Sequence, residues 1–147
     1  MGASPSEDSM RELVSAPLNA ARRSVVVNAP VERAYAQWAR IEDLPKFVTL
    51  LRNVRKIGDS QFSYAWGPNG DERQGILQIV LQIPARRIAW RELSNDFISG
   101  AVSFEPRSEE ETEVTLKIRS TFDVSNLSQR LEEYLGNFKQ LIESEQQ

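Results

Sequence analysis

The chain contains no cysteine and no histidine, and each absence removes a class of chemistry. Without cysteine there is no disulfide, no thiolate nucleophile and no zinc–thiolate site. Without histidine it lacks the usual general base at neutral pH, the usual middle member of a nucleophilic triad and the commonest metal ligand. Any catalysis must therefore run on Asp, Glu, Tyr, Lys or Arg; no metal site and no cofactor is expected. Long hydrophobic runs are missing too. No stretch approaches the roughly 18 apolar residues of a membrane helix, and the first thirty residues have no signal-peptide core, so the expected location is cytoplasmic, without a transmembrane segment. Nor is the chain basic. Its net charge is −3, whereas a general nucleic-acid binder usually carries a basic surplus, so no DNA partner is expected.

What is present suffices for one domain. The 147 residues, 40% of them hydrophobic, can bury a core without staples. Residues 1–22, rich in small and polar types and interrupted by Pro5 and Pro17, read as a flexible tail; 23–147 read as a single domain. The most strongly patterned stretch is the last. At 100° per residue, Leu127, Leu131, Tyr134, Leu135, Phe138, Leu141 and Ile142 share one helical face. Burying all seven is worth roughly 10–20 kcal/mol as an upper estimate, comparable with the net stability of a small domain. Asn126 and Gln129 are spaced as a capping box at its start.

Ahead of it, Ser24–Asn28 reads as a first strand. Pro30 and Glu32 then open a helix with Val31, Ala34, Tyr35 and Trp38 on one stripe. Pro45 is expected to end a short turn begun at Ile41, and Phe47, Leu50 and Leu51 to pack across one end of a sheet. From Val54 the period changes to two. Val54–Ile57 and Gln61–Trp66 form a hairpin, Pro68-Asn69-Gly70 turns the chain, and the next strand places Leu77, Ile79, Leu81 and Ile83 on one face. Arg86–Leu93 puts Ile88 and Trp90 together. After an Asn95-Asp96 turn, Ile98–Glu105 aligns Gly100, Val102 and Phe104. Glu113–Phe122 turns Val114, Leu116, Ile118 and Phe122 inward. The fold class is thus α+β, a curved antiparallel sheet of about seven strands wrapped around a long C-terminal helix, with room for a cavity between them.

Element order, together with SVVVNAPVERAYAQWARIEDLPKF (24–47), RRIAWRE (86–92), SGAVSFEP (99–106) and NFKQLIE (137–143), resembles the polyketide cyclase/dehydrase-like family of the START-like, helix-grip superfamily. The resemblance covers residues 23–143. It implies a mostly apolar cavity between the last helix and the sheet. Members bind lipids, quinones, polyketides or other hydrophobic molecules, a minority are cyclases or dehydratases, and one branch acts on ribosomes. The family shares no single catalytic motif to carry over. Here Ser120–Val124 runs straight into the helix, so the loop that closes the cavity mouth in relatives looks short.

The residues expected to line the cavity are Trp66, Trp90, Val102, Phe104, Leu131, Tyr134 and Phe138. Tyr134 offers a hydroxyl on an otherwise apolar face. Phe62, Tyr64 and Trp66 share a face that parity alone does not orient. Arg86 and Glu92 share parity with Ile88 and Trp90; as strand-end charges both are expected in solvent. Arg52, Arg55 and Lys56 form a basic group read as a solvated face. The expected function is binding or transport of a hydrophobic small molecule, with catalytic residues unassigned and the balance against an enzyme. The alternatives are a cyclase/dehydratase without histidine chemistry and a protein or ribosome interaction module with a filled cavity. Oligomeric state is left open.

Overall fold

The structure is a computed structural model that describes residues 19–67, 70, 72–93, 98–120 and 126–145. Seven strands form one antiparallel sheet: β1 (Asn19–Val27), β2 (Leu51–Lys56), β3 (Gln61–Trp66), β4 (Arg73–Ile83), β5 (Arg87–Glu92), β6 (Ile98–Ser108) and β7 (Glu111–Ser120). Their order is β1-β7-β6-β5-β4-β3-β2, so β2 to β7 make a meander and β7 comes to rest beside the first strand. Helix α1 (Val31–Ala39) and a 3₁₀ segment (Ile41–Lys46) carry the chain from one edge strand to the other. Helix α2 (Leu127–Ser144) lies over the inner face of the sheet.

The predicted apolar face of α2 is the one it buries: Leu131, Tyr134, Leu135, Phe138 and Ile142 are sequestered, with Leu127 and Leu141 packed at the margin. They meet Ile88, Val102, Phe104, Val114 and Leu116, the inward positions of β5 to β7. The helix is also fastened by polar contacts. Lys139 Nζ donates to the Val26 carbonyl (2.7 Å) and to Glu143 Oε2 (2.6 Å), which also accepts the Asn28 amide (2.8 Å). Arg33 of α1 donates to the Ile142 carbonyl, a group that the end of α2 leaves without an intrahelical partner.

Several local expectations are corrected. The first strand begins at Asn19, inside the stretch assigned to the tail, because residues 19–23 find partners along β7 from Leu116 to Ser120. Pro45 does not end the 3₁₀ segment, which runs on to Lys46. Asn126 adopts φ 60°, ψ 35° and its side chain makes no capping bond, so the anticipated capping box does not form. In β4, Ile79 pairs with Trp90 but Leu81 pairs with Ala89, leaving Val80 as an extra residue. That bulge reverses the inside–outside parity, so Leu81 and Ile83 face outward and are 39% and 41% exposed. Residues 1–18, Pro68 and Asn69 of the second turn, the Asn95-Asp96 turn and 121–125 lie outside the described residues.

Candidate ligand-binding site

The interface between α2 and the inner face of the sheet has a closely packed end and an end whose side chains stay partly exposed. At the closed end, Phe138 sits among Trp38 of α1 and Phe47, with ring centroids 5.5 and 5.1 Å away, while Trp38 and Phe47 stand 4.8 Å apart, edge to face. Phe47 and Phe138 are fully buried, and Asn137 Nδ2 donates to the Phe47 carbonyl (3.2 Å). Phe104 belongs to the same side of the molecule, edge-on to Tyr35 of α1 at 5.6 Å.

At the other end, inward side chains stay partly open to solvent. Tyr64, Trp66, Leu77, Ile79, Trp90 and Ile118 all point to the face that α2 covers, yet each is only half-buried. Register brings them together: Tyr64 stands opposite Gly75, Trp66 opposite Arg73, Ile79 opposite Trp90 and Trp90 opposite Gly100. The two glycines make this possible. A Cβ on Gly100 would lie 2.5 Å from Trp90 Cζ2, and one on Gly75 would lie 2.6 Å from the Tyr64 hydroxyl and 2.8 Å from Glu92 Oε2. Large side chains therefore lie flat on bare backbone.

Polar groups at this end are few. The Tyr134 hydroxyl is buried without a well-formed hydrogen-bond partner, and its ring stands edge-on to Trp66 at 6.4 Å. Burial pushes its pKa above the ordinary 10.0, opposed by the guanidinium of Arg130 one turn earlier. The phenol is therefore neutral at physiological pH and able to donate. Glu92 turns inward rather than into solvent, correcting the expectation; its Oε1 accepts the Ile76 amide (3.3 Å) and its Oε2 is shielded from water. Arg86, its parity partner, lies in the turn after β4 and is exposed.

Of the seven residues expected to line a cavity, Trp66, Trp90, Leu131 and Tyr134 are on the half-open side or border it, and Val102 lies beneath as fully buried floor. Phe104 and Phe138 are held by the aromatic contacts of α1 instead. Sequence reasoning assigned Glu92 to solvent, and left Tyr64 unoriented. The signal for Glu92 was its parity with Ile88 and Trp90; once Ile88 is buried, Glu92 must follow it to the same face. Surface depressions among the described residues lie elsewhere. One, of about 380 Å³, opens on the outer sheet face beside Arg22, Arg86 and Arg87; another, of about 520 Å³, lies between the 3₁₀ segment and α2, beside Lys46 and Gln140. No helix among the described residues is long and apolar enough to cross a membrane.

Comparison with known proteins gives a consistent result. Residues 27–140 match the family described as polyketide cyclase / dehydrase and lipid transport. A Streptomyces lincolnensis protein, described as an uncharacterized 17.2 kDa protein in the melC2-rnhH intergenic region, is 26% identical over 117 residues, 79% of this chain and 77% of its own. Among solved structures, a START superfamily protein from Mycobacterium smegmatis superposes with a TM-score of 0.74 at 12% identity, over 85% of this chain and 97% of the other. The Zhui aromatase/cyclase of Streptomyces sp. R1128 superposes with a TM-score of 0.71 at 16% identity, over 88% and 96%.

Proposed function

The chain belongs to the polyketide cyclase/dehydrase and lipid transport family, with the START-like helix-grip fold, and from that premise we propose that it binds a hydrophobic small molecule between α2 and the inner face of β3 to β6. Membership speaks for hydrophobic ligand binding or a cyclase role in general terms; the binding reading rests on one observation of this chain. Inward apolar side chains from Tyr64 to Ile118 remain half-buried at one end of the grip, while the Trp38, Phe47 and Phe138 end is closed. Apolar surface held inward but unfinished gains by accepting an apolar guest, at about 25 cal/mol per Å² covered. A lipid, quinone or polyketide-like molecule has the required surface. The neutral hydroxyl of Tyr134 is the group to orient its polar end.

The test is native mass spectrometry of freshly purified protein, with solvent extraction of whatever it carries. A stoichiometric lipophilic adduct lost on denaturation is expected. Apo mass together with no thermal stabilisation by a panel of lipids, quinones and aromatic polyketides overturns the reading. Tyr134→Phe should keep the fold and weaken ligands with a polar end by about 1 kcal/mol, roughly fivefold, measured by titration. Unchanged affinity for every ligand removes that role.

The inward turn of Glu92 favours a second reading, a cyclase or dehydratase, since it supplies the titratable group that such chemistry needs without histidine. The same spectra separate the two. Recovery of an incubated polyketide-like ligand lighter by one water favours the enzyme, and its recovery unchanged favours binding alone.

A further inference from the structure

The outer face of the sheet carries a pattern that the ligand site does not use. Register lines up four residues across β7, β6, β5 and β4 as Thr115, Ser103, Arg87 and Ile83, and the next row as Lys117, Ala101, Ala89 and Leu81. A third row runs Arg119, Ser99, Arg91 and Gln78. Cations thus stand on β5 and β7, while β4 contributes exposed apolar side chains. Val80, the bulged residue, is 52% exposed, and Leu81 and Ile83 were turned outward by that bulge. The depression of about 380 Å³ beside Ile83 is bordered by Arg22, Arg86 and Arg87. Two carboxylates also border it, Glu105 and Glu113, and Glu113 is engaged by Arg107. Among the described residues no carboxylate is paired with Arg22, Arg86, Arg87 or Arg91.

We propose that the outer face around the β4–β5 hairpin docks on an anionic phospholipid bilayer, with Val80, Leu81 and Ile83 entering the headgroup region and Arg22, Arg86 and Arg87 meeting lipid phosphates. The two features complement one surface. Exposed aliphatic side chains beside unpaired guanidiniums match the acyl boundary beside phosphate, and each basic residue near an anionic leaflet contributes about fivefold to partitioning. A second copy of the chain fits less well, because a two-fold contact over this patch brings like arginines together. The docking is shallow. Residues 80–83 of β4 extend past the last bond to the β3 side, from the Ile79 amide to the Ser60 carbonyl, and unpaired backbone does not enter hydrocarbon.

The experiment is co-sedimentation of the full chain with phosphatidylcholine vesicles and with mixed phosphatidylcholine–phosphatidylglycerol vesicles. Binding to the anionic vesicles only, lost at high salt, is expected. Leu81→Asp with Ile83→Asp, and separately Arg86→Glu with Arg87→Glu, should each weaken it on the order of tenfold or more, while thermal unfolding and the inner ligand site are unaffected. Three outcomes overturn the proposal. They are no sedimentation with either vesicle, anionic binding that both double variants retain, and a concentration-dependent dimer in equilibrium ultracentrifugation that Leu81→Asp dissociates. In the first of these cases, stabilisation by inorganic phosphate assigns the depression to a free anion.

Discussion

Gly75 and Gly100 are where the inner face of the sheet takes in its largest side chains. At Gly100 the neighbours are Trp90 and Ile118, whose Cδ1 would lie 2.8 Å from an added Cβ. Gly100→Ala should therefore cost about 1–3 kcal/mol, the usual penalty for overpacking, measured by urea unfolding. Stability equal to the parent would mean that Trp90 has room to move aside inside the grip, itself evidence of space there. At this scale the sequence was informative about faces and uninformative about vacancy. Parity placed Trp90 with Ile88 and, on the next strand, Gly100 with Val102, and it would have placed Glu92 beside Trp90 had a general preference of charges for solvent not been given more weight. Nothing in residue types alone says whether an inward tryptophan is covered by α2 or left half open, because that depends on how far the helix sits from each strand.

Among the elements, α2 was the most legible and β4 the least. The helix announces itself by seven apolar residues at helical spacing, and the face they define is the face it buries. Phe138 closes the aromatic cluster with Trp38 and Phe47, so Phe138→Ala should destabilise by about 3–5 kcal/mol in chemical denaturation, with a cavity left among three rings. A loss below 1 kcal/mol would show that the cluster collapses around the gap. The strand misled because strict alternation over ten residues takes no notice of a bulge. Val80 has no composition that marks it as the extra residue; the bulge arises from fitting β4 to β5, a pairing that single-strand periodicity does not contain. Asn126 is similar: its residue type suits a cap, but its left-handed backbone sends the side chain elsewhere.

For the whole molecule, closure depends on α2 being clasped to the β1 edge by Lys139, Glu143, the Asn28 amide and the Arg23–Glu132 pair at 3.0 Å. The hydrogen bond from Lys139 holds the Glu143 carboxyl below its ordinary 4.5, with the Asn28 amide adding to the effect and burial opposing it. A lowered native pKa means that this clasp contributes fully above about pH 4.5 and is lost as pH falls through the native value. Glu143→Gln should therefore lower thermal stability near neutrality by a modest amount, flatten the loss of stability on acidification, and converge with the parent at low pH. Parallel pH curves for the two proteins would count against the clasp.

The pairing of β1 with β7 has a consequence in time. Of the seven described strands β1 is made first, but its strand partner among the described residues, with Val25 opposite Val114 and Asn19 opposite Ser120, is the seventh. While the meander from β2 onward can zip up as the ribosome delivers each hairpin, β1 must wait until β7 has been delivered. Its loop closure is the longest in the fold, and such non-local pairings are the slow ones. In that interval Val25 and Val27 have no neighbour on β7, which makes the nascent N-terminal edge the place where a chaperone or a wrong partner has the longest opportunity to act.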